Sequence, residues 1–172
     1  PSVARTRCAT TAAAAEPGVD LSGSFTVNFW LNIVNLSLDD SLANIILNKN
    51  GAWGYTFNLY ANDSGGINVS FSDGSSGPFH TVASPGTGWK MFTAVRTAGS
   101  CQLYFQGSAV GTPDTVGNVD PASDSTSIEN LAGGGGRLDQ LLAREAAYSA
   151  GDSTYLYNGG TGIAYAGMSV GG

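Results

Sequence analysis

The sequence is short of charge, histidine, glutamate and cysteine, and each shortage removes a class of function. Charged residues make up 12% of the 172, about half the share usual in soluble domains. Helices with charged outer faces are therefore not the expected fabric. The single histidine, His80, would have to serve any Ser/His/Asp triad, and nearby Ser84 and Asp73 form no signature with it. A glycoside hydrolase needs two carboxyl groups projecting from one face. The three glutamates, Glu16, Glu129 and Glu145, stand in no alternating carboxylate pattern. Cys8 and Cys101 are too few for a disulfide framework and read as two unrelated thiols. With His80 they would still lack a fourth zinc ligand and any usual spacing. No apolar run reaches the length of a membrane span.

What fills the gap is Gly, Ser, Thr and Asn, a mixture suited to short strands joined by tight turns. The net charge of −6 is uneven: residues 1–15 carry Arg5 and Arg7 and no acid. An acidic body repels phosphates and argues against nucleic-acid binding. Residues 1–18 read as an N-terminal arm ending at Pro17-Gly18, with Arg5 and Arg7 either touching an acidic partner or standing as incidental charges. Pro1 fits a start from which an initiator Met is trimmed, and residues 11–15 are too weakly apolar for a signal-peptide core. Synthesis in a cytosol without a leader is the expectation.

From Val19 the chain reads as β. Phe25, Val27, Phe29, Leu31 and Ile33 alternate with Thr26, Asn28, Trp30 and Asn32 over Ser24–Val34. Further strands are expected at Asn44–Lys49, Gly54–Ala61, Ile67–Ser72, Phe79–Ala83 (an edge), Trp89–Thr97, Cys101–Gln106, Ala109–Val110 and Ile128–Leu131. Asn62–Gly66 and Ala98–Ser100 are turns. Gly111–Ser127 reads as a long polar loop, and such loops in compact domains are usually functional or mobile. Leu138–Ala147 suits a last strand, although its Leu/Ala/Arg/Glu content also suits a helix. The tail beyond Thr161 is small and Gly-rich. The glycines at 133–136 lack a following Lys-Ser/Thr, so they form no phosphate loop. This spacing of strands and turns predicts an all-β antiparallel sandwich.

Three ordered segments carry a resemblance. They are Leu21–Trp30, then Gly88–Arg96 with Leu103-Tyr104-Phe105-Gln106-Gly107, then Arg137–Leu141 leading to Leu156-Tyr157-Asn158-Gly159-Gly160. Over residues 19–162 the chain resembles the laminin G-like branch of the concanavalin A-like lectin/glucanase jelly rolls, including phage and microbial members. The resemblance implies a two-sheet jelly roll. It also implies that Trp30 and Trp89 pack in a core rather than serve as sugar platforms. Calcium is the one cofactor it suggests, through Asp39-Asp40 or Asn62-Asp63, and otherwise none is expected. The Asn-x-Ser sequons at Asn35, Asn62 and Asn68 carry little weight in so Asn/Ser-rich a chain.

Two functions fit. The first expectation is a non-enzymatic decoration or cement module on a virion surface. It would clasp capsid subunits through its arm and a sheet edge, as a homo-oligomer. The second is a carbohydrate-binding module, in which Trp53 and Tyr55, beside Gly51 and Gly54, face a sugar with Asn62 and Asp63 as polar ligands. For these two residues the rival reading is plain packing, Tyr55 in the core and Trp53 partly covered.

Overall fold

A computed structural model describes residues 23–34, 41–50, 53–61, 66–72, 79–115, 127–129, 137–144 and 146–161. Among the described residues ten strands form two five-stranded antiparallel sheets. In chain order they are β1 (Phe25–Ile33), β2 (Ser41–Asn50), β3 (Trp53–Ala61), β4 (Ile67–Ser72), β5 (Phe79–Val82), β6 (Gly88–Thr97), β7 (Ser100–Phe105), β8 (Ser108–Thr115), β9 (Ser127–Glu129) and β10 (Arg137–Arg144). Sheet A has the order β10-β1-β6-β7-β8 and sheet B the order β5-β4-β3-β2-β9. The antiparallel sandwich expected from the alternation is therefore present, and it is consistent with the two-sheet jelly roll that the resemblance implies.

The core forms because alternate residues of each strand turn inward. From β1 these are Phe25, Val27, Phe29, Leu31 and Ile33, and opposite them stand Leu59, Ile67, Val69 and Phe71 of sheet B. The β1–β6 register sets Phe29 against Phe92, and their rings stack with centroids 5.6 Å apart. Phe25 meets Phe71 edge-on across the sandwich at 5.8 Å. Such offset and edge contacts add to what burial of the rings contributes. Arg96 closes one end of this layer. Its guanidinium lies 5.9 Å over the Phe25 ring and donates a hydrogen bond to the Gly23 carbonyl.

Two tight hairpins fix the β6-β7-β8 meander. Ala98 and Gly99 link β6 to β7, and Gln106 and Gly107 link β7 to β8, all four at positive φ. Two successive left-handed residues make the turn whose twist matches antiparallel strands. Gln106 is also tied to β6: its backbone N–H donates to the Met91 carbonyl at 3.0 Å, and its side-chain oxygen accepts from the Met91 N–H at 2.9 Å.

Three segments differ from expectation. The loop foreseen from Gly111 begins later, because β8 continues to Thr115. This strand lies at the edge of sheet A; beyond Val110, which packs against the core, its side chains are exposed, so no apolar alternation announces that stretch. The last strand is β10, which settles the strand-or-helix alternative for 137–144 in favour of strand. After it comes a helix absent from the sequence reading, α1 (Ala150–Tyr157).

Candidate functional site

Helix α1 has few apolar residues, and its ends explain why it forms. Ser149 is the N-cap: its Oγ accepts from the Asp152 N–H, while Asp152 accepts from the Ser149 N–H at 2.8 Å. This reciprocal box satisfies two donors that a helix start leaves unpaired. Those bonds hold the exposed Asp152 carboxyl below its usual range, the Ser149 side chain contributing most. At the other end Asn158 adopts the left-handed conformation and its N–H bonds the Thr154 carbonyl. Gly159 and Gly160 continue at positive φ.

The helix lies against the outer face of sheet A. Leu156 is buried with Trp30 and Met91, and Trp89, Tyr148 and Tyr157 pack around them. The Tyr157 ring stacks on Trp30 with centroids 6.1 Å apart and planes 18° from parallel. Trp30 is only 6% exposed, so it packs rather than offering a sugar platform, and Trp89 is half-buried against the same group. They pack in a second cluster on the far face of sheet A from the inter-sheet core. Polar residues share that face. Thr26 accepts from the Tyr148 N–H at 2.9 Å and donates to the Ala146 carbonyl at 2.7 Å. Asn28 donates to the Thr93 hydroxyl at 2.7 Å. Arg144 donates to the Tyr148 hydroxyl at 3.0 Å and stacks over its ring.

The edges of the two sheets meet on the other side. His80 of β5 packs over Gly111 of β8, where φ is +65° and a Cβ would overlap the imidazole. The His80 Nε2 is buried without a hydrogen-bond partner, as is the Ser153 Oγ on α1. Cys101 is a free, fully buried thiol; burial pushes it up to about 12, with the Arg96 charge opposing. That is the profile of an inert core thiol. Among the described residues no three His, Cys, Asp or Glu gather as a metal site would require. No helix among them is long and apolar enough to cross a membrane.

Two of the sequence-derived binding residues, Trp53 and Tyr55, fall on sheet B. Trp53 opens β3 opposite Asn50, and Tyr55 stands opposite Leu47. Asn62 and Asp63 lie outside the described residues, as do Arg5, Arg7, Cys8, Glu16, Asp39, Asp40 and Glu145. β3 runs nine residues from Trp53 to Ala61. At about 3.3 Å per residue its ends are roughly 26 Å apart. Trp53 and Ala61 therefore stand at opposite ends of β3. Glu129 sits on β9 opposite Asn44. The sequence reading missed Tyr155, which projects from α1 at 65% exposure. The Ser149-x-x-Asp152 box was the signal that could have found its helix.

Solved structures share this fold. The native heptameric SAP-like pentraxin from Limulus polyphemus matches with a TM-score of 0.56 at 17% identity, covering 78% of this chain and 69% of that one. The binding domain of botulinum neurotoxin serotype D/C VPI 5993 matches with a TM-score of 0.58 at 16% identity, covering 81% of this chain and 37% of that one. A structure of botulinum neurotoxin type C, described by its dependence on two ganglioside molecules for cell entry, matches with a TM-score of 0.56 at 15% identity. It covers 81% of this chain and 36% of that one, so this chain spans little more than a third of the toxin structures. A comparison with curated proteins found no match.

These findings correct the capsid-decoration expectation and its capsid and virion partners. The matched shapes are a pentraxin and toxin binding domains. The docking device also fails at β8. Gly111 and Pro113 interrupt it, its pairing with β7 shifts register, and His80 packs over it. An edge interrupted in this way is a poor template for strand addition. The phage or microbial affinity has no support beyond the superfamily itself. A family model described as Concanavalin A-like lectin/glucanases superfamily matches residues 8–150, and the chain belongs to that superfamily.

Proposed function

We propose that this chain is a non-catalytic carbohydrate-binding module for cell-surface or polysaccharide glycans. The observation that carries the reading is the superfamily match over residues 8–150 on a sandwich shared with binding domains. One of the similar structures is described by its interaction with gangliosides, which are glycan-bearing lipids. Recognition rather than hydrolysis also fits the chemistry. The three glutamates stand at Glu16, Glu129 and Glu145, and none has a carboxylate two residues away along the chain. A retaining or inverting hydrolase needs such paired groups flanking the bond.

Trp53 and Tyr55 on β3 remain candidates, as do Asn62 and Asp63, which lie outside the described residues. A glycan array probed with wild type and Trp53→Ala tests both statements. Binding by the wild type is expected. Its complete absence removes the carbohydrate reading, and unchanged binding by Trp53→Ala removes Trp53 from the site.

A further inference from the structure

We infer that the exposed face of α1 is a sugar-stacking platform centred on Tyr155 and that its ligand is the apolar face of a neutral pyranose. This rests on the carbohydrate reading above but assigns it a site on sheet A's covering helix rather than on β3.

Tyr155 is the largest exposed apolar side chain among the described residues, at 65% exposure. It points away from Ser153 and Leu156, which α1 buries. Its surroundings leave the ring accessible. Gly151 stands four residues earlier, the spacing that places side chains side by side on a helix. A Cβ there would touch only the Ser149 Oγ, at 3.5 Å. Beyond the helix end, a Cβ at Gly159 would meet nothing within 4 Å. Neither glycine adds a side chain to the surface around α1.

The polar groups beside it select the ligand. Asp152 lies three residues before Tyr155, and its Oδ2 accepts from both the N–H and the Oγ of Ser149. Oδ1 takes no part in these two bonds and can accept from a sugar hydroxyl. The capping bonds hold this carboxyl in its charged form. No basic residue occupies the last turn of α1. An anionic sugar would meet the negative charge of Asp152, whereas a neutral ring offers donors to Asp152 and C–H groups to Tyr155. An aromatic face joined to a few placed polar groups is the usual composition of such sites.

The test is NMR titration of the full chain with methyl β-D-galactopyranoside, methyl β-D-glucopyranoside and N-acetylneuraminic acid. Wild type, Tyr155→Ala, Tyr155→Phe and Gly151→Leu are compared. Leu favours helix over Gly and adds a side chain four residues before Tyr155, on its side of α1. The expected result is shifted Tyr155 ring protons with a neutral glycoside and retained binding in Tyr155→Phe. Loss of about tenfold or more in affinity is expected for Tyr155→Ala and Gly151→Leu. Unaltered binding by Tyr155→Ala overturns the platform while leaving the carbohydrate reading in place. Preference for the anionic sugar overturns the ligand class. Failure of the wild type to bind any of these or any glycan on an array overturns both.

Discussion

The inner and outer faces of sheet A bury their residues by different means. The inner face is a layer of phenylalanine and aliphatic side chains pressed against sheet B. The outer face buries Thr26, Asn28 and Thr93 beside Trp30 and Met91, under a short capped helix. One face is held by packing alone, where every methylene matters. The other depends on hydrogen bonds being completed, and a polar atom left over counts against it. The helix over that face, at eight residues, is too short to persist without its contacts. The comparison teaches that the sandwich and its cover are separable in energy.

The largest test of that separation is Phe29→Ala, which opens the inner layer. It should cost about 3–5 kcal/mol in chemical denaturation and lower protection of amides in both sheets. A loss confined to α1 would contradict the division. Next comes Gly111→Ala, which forces a side chain into the His80 ring at a positive φ. Roughly 1–3 kcal/mol should be lost. Adding His80→Ala should restore part of it, and strict additivity of the two changes would refute the contact. Ser149→Ala removes the helix cap and should cost about 1 kcal/mol. Hydrogen exchange should show the loss in α1 and around Trp30 before the inner strands respond.

Ser153→Ala should leave stability unchanged or raise it by under about 1 kcal/mol, because it deletes a buried hydroxyl with no partner. A marked fall in melting temperature would show that the hydroxyl has a role. The smallest effect is that of pH. Asp152 is held low in the folded chain, so its contribution is complete above the ordinary carboxylate range. It is lost as pH falls through the lowered folded value. Exchange in α1 should quicken there, and Asp152→Asn should abolish that dependence.

Much of the sandwich was legible because one face of each inner strand is uniformly apolar. The alternation through β1 and β6 located both strands and their inward residues. The outer face was not legible in the same way. Thr26, Asn28 and Asn32 look like solvent-facing positions, since alternation says nothing of what a later segment lays over them. α1 escaped notice because it buries only Ser153 and Leu156 and has no apolar stripe. The part of β8 beyond Val110 escaped for the opposite reason, being an exposed edge that carries Gly111 and Pro113. Of the candidate contacts, aromatic content pointed to Trp53 and Tyr55. Tyr155 became visible only once its helix gave it a direction.

Cys101 gives the sandwich a built-in reporter. A thiol this deeply buried, with its ionisation pushed up to about 12, is closed to alkylating reagents while the strands stay paired. Its rate of labelling, followed on its own peptide by mass spectrometry, therefore times the opening of the inner layer without any added probe.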